Sequence, residues 1–364
     1  MKSYRAEVVG SLLRPDYLKR ARLDVAADRI SIKQFKKIED RAVDEAIALQ
    51  QSSGLDIVTD GEMRRSGFAG PLIDYFEGFE SLGLETVRWH TRGRELIHLP
   101  VPFTVTGKLH RRRSLAAEEF TYARARAQLP LKVTLPSPLV LGLAWSPVFS
   151  VEAYPDPFDL FTDAATILRD EIAELASLGC EYIQIDAPEV ACLVDPMTRC
   201  EVYEARGISS ERLVREGVDL LNELADAPGV TFAIHLCRGN NAGHWMSEGG
   251  YEVISKQVFG RLTNYSILML EYDDERSGSF AALADVPSDK IVVLGLISTK
   301  TDELEATETL TSRFEQASRY FPREQLAIST QCGFASVAAG NPIQPATQAA
   351  KLRLVAELAG RLFG

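Results

Sequence analysis

Apolar residues fall along this chain with two spacings. Eight short runs rich in β-branched and aliphatic residues occupy 8–11, 56–60, 132–135, 182–186, 231–237, 266–271, 290–297 and 326–332. Most are continuously apolar rather than alternating, as expected of parallel strands covered on both faces. Between many of them, apolar residues recur every three or four positions. Phe35, Ile38, Ala42, Ala46 and Leu49 form one helical stripe, with Gly54 placed to cap its C-terminus. Leu160, Ala164, Ile167, Leu168, Ile172 and Leu175 form a second stripe ending at Gly179, and Leu310, Phe314, Ala317 and Phe321 form a third. Pro345 opens a last helix running to about Leu362, since proline suits a first helical turn.

Eight strands joined by helical crossovers is the count of an α/β protein of the (β/α)8 TIM-barrel class. The 364 residues accommodate one such barrel with an insertion, so residues 1–364 are read as a single domain. A doubly wound sheet is the alternative, but no glycine-rich nucleotide loop follows the first run. Residues 68–129 do not read as strand followed by helix. They contain Pro102-Phe103-Thr104-Val105-Thr106-Gly107-Lys108, which has the pattern of a hairpin arm. This segment is expected to be inserted between strands two and three, as a lid or an oligomerisation element.

The polar residues at the ends of the runs carry the chemistry, because a barrel of this class places its active site at the C-terminal ends of its strands. Those ends hold Ser11, Asp60 and Glu62, Asp186, His235 and Cys237, Glu271, and Cys332, while Ser298-Thr299-Lys300 follows the seventh run. Positions i and i+2 of a strand face the same way, so His235 and Cys237 can both point to the barrel axis. With Glu271 and Cys332 on other strands they form a ligand set suited to Zn²⁺. A free cysteine is by itself an ordinary core residue, and His-x-Cys alone is a weak signal; the joint pattern on three strands is what points to zinc. Two thiolates and a carboxylate would leave the zinc site electron-rich, which favours a nucleophilic sulfur over activated water. Glu271 is a candidate to leave the metal when a substrate thiol arrives. Arg238, in the glycine-rich segment after the fifth run, and Trp145, after the third, are candidates to line the substrate cavity. Asp273 to Glu275 read as a solvated loop or as partners of Arg238.

Composition narrows the class further. The net charge of −11 argues against nucleic acid and membrane surfaces as partners, and Arg111-Arg112-Arg113 is read as a solvated basic cluster. Five cysteines make no disulfide framework, and Cys180, Cys192 and Cys200 are read as structural. Residues 1–7 carry no apolar leader and no stretch has the length of a membrane span, so a reducing cytoplasmic location is expected.

At these residues the chain resembles the cobalamin-independent methionine synthase family, specifically its C-terminal catalytic barrel. His235-Leu236-Cys237, Glu271 and Cys332-Gly333 are similar in order and strand context to that family's zinc ligands. Gly10-Ser11, Gly61-Glu62 and Gln184-Ile185-Asp186 resemble its homocysteine-binding motifs. The resemblance implies that Ser11 meets the substrate carboxylate and that Glu62 and Asp186 hold its ammonium group. It spans the chain from about residue 8 to the last helix. Two departures bear on the methyl donor. The family's Asp-Glu-Pro is here Asp186-Ala187-Pro188, and a histidine proposed to protonate the leaving group is replaced by Lys300. The expected activity is therefore zinc-dependent methylation of a thiol, most specifically homocysteine. The donor is left open between a folate, a corrinoid protein and an epoxide, and Lys300 is placed against the donor or leaving group. The alternative is thiol addition to an epoxide, as in the related epoxyalkane:coenzyme M transferases. A more distant alternative is a zinc-binding protein without turnover. A homo-oligomer is compatible with either enzyme reading.

Overall fold

The computed structural model describes residues 4–73, 75–83, 85–93, 95–114 and 116–364. Residues 1–3 of the leader reading, and residues 74, 84, 94 and 115 of the insertion, lie outside the described residues. Seven strands form one parallel sheet: β1 (Ala6–Glu7), β6 (Val133–Pro136), β7 (Tyr182–Asp186), β8 (Thr231–Leu236), β9 (Ile267–Glu271), β10 (Ile291–Ile297) and β11 (Leu326–Thr330). Their order is β1-β11-β10-β9-β8-β7-β6. The gap between β1 and β6 is closed by residues 56–58. Asp56 N donates to Ala6 O at 2.9 Å, Val58 N donates to Pro130 O at 3.0 Å, and Lys132 N donates to Val58 O at 2.8 Å. The sheet thus curls into a (β/α)8 barrel whose second strand is reduced to a single bridge.

That reduction has a local cause. Gln50, on the helix Ile32–Ser52, donates to Thr59 O at 2.8 Å and accepts from Thr59 N at 2.9 Å. A side chain therefore takes the backbone groups that would have extended the ladder. The first strand also departs from the sequence reading of 8–11, because its ladder lies upstream at Ala6–Glu7. Val9 N donates instead to Thr330 Oγ1 at 3.4 Å, and Ser11, two residues on, lies in the wall of the cavity described below.

The helical stripes pack as their spacing demands. Ile32–Ser52 opens with a capping box in which Ser31 and Gln34 satisfy each other's backbone donors, and it buries Ala42, Val43, Ala46 and Ile47. Pro157–Ser177 and Pro345–Phe363 cover the barrel with their apolar faces, and each carries proline in its first turn. No helix among the described residues is long and apolar enough to cross a membrane.

The insertion between the second and third barrel strands contains a short helix, Gly70–Ile73, a two-stranded antiparallel ribbon that encloses a hairpin, and a second helix. β2 (Phe76–Glu80) pairs with β5 (Thr104–Arg111), and β3 (Thr86–His90) pairs with β4 (Leu96–Pro100). The helix Ala116–Arg124 returns the chain to the barrel. The β3 hairpin is pinned to the loop after β8, where His90 N donates to Trp245 O at 2.7 Å. Arg112 and Arg113 are exposed as expected, but Arg111 forms an ion pair with Glu174 at 2.6 Å and fastens β5 to the helix Pro157–Ser177.

Candidate metal centre and active site

His235, Cys237, Glu271 and Cys332 converge at the C-terminal ends of β8, β9 and β11, and all four are buried. Their ligand atoms lie within 4.8 Å of one another, with Cys237 Sγ 3.5 Å from Cys332 Sγ. Two sulfurs at ~2.3 Å from a tetrahedral zinc stand about 3.8 Å apart, so the pair is nearly at bonding separation. Neither ring nitrogen of His235 has a nitrogen or oxygen partner, although the residue is 2% exposed, and the polar group it faces is the sulfur of Cys332, another of the candidate ligands. An imidazole buried without such partners is costly unless something absent from the protein atoms satisfies it. Together, the orphaned imidazole and the soft donor set fit zinc.

The two sulfurs are in hydrogen-bond contact, and either can be the donor. Contact with Cys237, helped by His235, holds the Cys332 thiol well below its ordinary range, while the same contact and burial push Cys237 up. Gly239 N donates to Cys237 Sγ at 3.2 Å, a further stabiliser of negative sulfur. Glu271 is oriented by two donors: Gln331 Nε2 reaches Oε1 at 2.9 Å and Arg238 N reaches Oε2 at 3.0 Å. Gln331 was missed in the sequence reading, although it adjoins Cys332; outer partners of metal ligands leave no spacing signature of their own.

The cluster opens into a cavity of about 220 Å³. His235, Cys237 and Cys332 share its wall with Ser11, Glu62, Asp186 and Asn240. The outer wall is apolar and comes largely from the insertion and the loop after β6, including Trp89, Leu99, Phe103 and Leu141. No arginine or lysine is among the described lining residues. Glu62 is held at φ +56°, a strained conformation for a non-glycine residue. Its N–H donates to Asp60 Oδ1 at 2.9 Å and its carbonyl accepts from Arg14 Nη2 at 2.9 Å, and these bonds fix the aim of its carboxylate. Burial pushes the Asp186 carboxyl up to about 7, while Gln184 Nε2 donates to its Oδ1 at 2.6 Å.

Ser11 Oγ accepts from Ala335 N at 3.2 Å and lies under Gly333, where an added Cβ would come within 2.1 Å of that oxygen. Gly333→Ala is expected to cost about 1–3 kcal/mol by overpacking and to displace Ser11. Thermal melts and the affinity for a carboxylate-bearing thiol would both fall. Unchanged values in both would show that Ser11 is not held where the geometry puts it.

Four of the residues proposed from sequence lie outside the cavity wall: Glu271, which joins the ligand cluster from behind it, and Trp145, Arg238 and Lys300. Trp145 is in the core and donates its indole N–H to Tyr154 O at 3.2 Å. Arg238 is buried behind Glu271, stacked 3.9 Å over the Tyr251 ring, and donates to Gly249 O at 2.9 Å. Lys300 is 3% exposed, with Nζ 3.9 Å from Asp273 Oδ2. Asp273 is therefore buried against Lys300 and Arg276 rather than solvated, because those two cations repay its burial.

Comparison with known proteins bears on the family and the fold. The chain is 34% identical over 369 residues to the uncharacterized protein YxjG of Bacillus subtilis (strain 168), covering 99% of this chain and 95% of that one. It is 25% identical to the methionine synthase of Saccharolobus solfataricus, covering 90% and 86%. The structure of a B12-independent methionine synthase from Shewanella sp. W3-18-1, in complex with selenomethionine, superposes with a TM-score of 0.73 at 21% identity, covering 98% and 97%, and shares the fold. The model of the catalytic domain of cobalamin-independent synthases matches residues 5–357, and the chain belongs to the cobalamin-independent methionine synthase family.

Proposed function

We propose that the protein uses zinc to methylate a thiol, and that the acceptor is homocysteine. The observation that carries this reading is one cavity shared by a sulfur-rich ligand set and two buried carboxylates, Glu62 and Asp186. Zinc held by His235, Cys237, Glu271 and Cys332 would lower the pKa of an incoming thiol and keep its sulfur nucleophilic at neutral pH.

The remaining work belongs to the protein's own groups. Glu62 Oε2 has no partner among the protein atoms and is placed to accept from an ammonium group, with Asp186 as a second anion. Ser11 Oγ is placed to donate to the substrate carboxylate. Glu271, already held by Gln331 and by Arg238 N, keeps those two donors if the arriving thiol displaces it. In the transfer, the substrate sulfur bonds to the methyl carbon as the carbon's bond to its leaving group breaks. The proton released by the thiol neutralises the leaving group. Lys300 is assigned an electrostatic role, because its charge favours the thiolate form of both cysteines without its lining the cavity. The donor, whether folate, corrinoid protein or another alkyl compound, would approach along the apolar outer wall, over which the insertion acts as a lid.

Addition of coenzyme M to an epoxide is disfavoured. Its sulfonate would face Glu62 and Asp186 with no cation in the described cavity wall, and like charges repel strongly at low dielectric. X-ray absorption at the zinc edge of the loaded protein provides the test. Homocysteine is expected to add a sulfur scatterer, whereas coenzyme M should leave the spectrum unchanged. A response to coenzyme M alone would reverse the assignment, and a response to neither would favour a zinc protein without turnover.

A further inference from the structure

The carboxylate assigned to the substrate ammonium is tied to the inserted segment through a buried chain of polar groups. Arg65 is 2% exposed and grips Glu119 with Nε at 3.0 Å and Nη2 at 2.8 Å from Oε2. Glu119 is 3% exposed and belongs to the helix Ala116–Arg124 of the insertion. Arg65 Nη1 donates to Thr134 Oγ1 at 3.0 Å, and its Nη2 also donates to Thr134 O at 2.9 Å. Thr134 Oγ1 in turn donates to Glu62 Oε1 at 3.0 Å. The polarity of this chain is fixed. A guanidinium can only donate, so the threonine oxygen must accept from it, and the single hydroxyl proton is left for Glu62. Arg65 Nη1 stands 4.0 Å from Glu62 Oε1, too far for a direct hydrogen bond but close enough to collapse into one. Glu62 Oε2 is left without a protein partner, and Gly10 leaves room beside Oε1, where an added Cβ would come within 2.6 Å.

We propose that Glu119, from the inserted helix, is a positioning residue for the amine site. It occupies Arg65, so that Thr134 touches Glu62 in place of the guanidinium and the second Glu62 oxygen stays free for a substrate ammonium. Glu119 does not line the cavity and acts only through Arg65 and Thr134. Without its charge, Arg65 is left with Glu62, 4.0 Å away, as its nearest ion-pair partner among the described residues, with Asp60 acting from farther off, and pairing with Glu62 would neutralise the group that the amine needs. The insertion thus does more than cover the cavity, because it sets which charge the cavity presents. This inference rests on the assignment of Glu62 to the substrate amine.

The test compares two thiols that differ only in the amine, homocysteine and 4-mercaptobutanoate, by calorimetric titration of the zinc-loaded full-length protein. The unaltered protein should bind homocysteine the more tightly. Glu119→Gln should weaken homocysteine binding about tenfold, as expected for loss of a charge-assisted hydrogen bond, and leave 4-mercaptobutanoate and zinc content unchanged. Should Glu119→Gln fail to fold, Thr134→Val removes the hydroxyl with little change of shape and should show the same selective loss, with Thr134→Ser restoring it. If the unaltered protein does not distinguish the two thiols, the amine assignment itself fails. If it distinguishes them and the folded variants still do, or if both thiols weaken equally, the positioning role is overturned.

Discussion

Cys237→Ala and Cys332→Ala should each strip the protein of zinc and abolish methyl transfer. Each substitution removes one sulfur from a cluster whose four ligand atoms lie within 4.8 Å, and no other Cys, His, Asp or Glu completes that group among the described residues. Loss of an outer hydrogen-bond partner of a metal ligand lowers affinity by about 10–100-fold, so loss of the ligand itself should exceed that. Gln331→Leu supplies the comparison. Its amide holds Glu271 Oε1 at 2.9 Å, and its removal should fall within the smaller range. Zinc content after dialysis against a competing chelator separates the cases, with circular dichroism confirming the fold. Stoichiometric zinc in both cysteine variants would remove the site.

The second large effect is expected on stability. Below the site, Lys132 and Glu7 form an ion pair at 2.7 Å in the barrel interior, with side chains 0% and 1% exposed. Lys132 Nζ also donates to Val8 O at 2.7 Å, and Tyr182 OH lies 3.4 Å from Glu7 Oε2. The pair links β1, the start of β6 and β7 where the second strand contributes only one bridge. Removing one partner leaves the other charge buried alone, so Lys132→Met should destabilise by about 3–5 kcal/mol. Replacing both, as Lys132→Met with Glu7→Leu, should recover much of that loss, because the desolvation cost disappears with the charges. Urea unfolding of the single and double variants measures both. A double variant no more stable than the single would mean that the pair acts through packing, not charge.

The sequence by itself carried the barrel class, because parallel strands buried on both faces must be continuously apolar and their crossovers must be amphipathic at helical spacing. It also carried the convergence of the four candidate ligands, because β-strand alternation places His235 and Cys237 on one side, and strand ends of a barrel converge whatever the loops do. The resemblance added Ser11, Glu62 and Asp186, and these do share the cavity wall. What the sequence did not carry was decided by contacts between segments far apart in the chain. Gln50 took the ladder bonds of Thr59 and reduced the second strand to a bridge, which the apolar pattern of 56–60 does not register. Trp145, Arg238 and Lys300 follow strand ends in sequence, yet packing turned all three away from the cavity, since position after a strand does not fix a side chain's direction. Arg65, Thr134 and Glu119 span 54 to 69 residues of separation and show no local pattern at all. Their alignment exists only because the inserted helix folds back onto the barrel and buries a charge that must find its partner there.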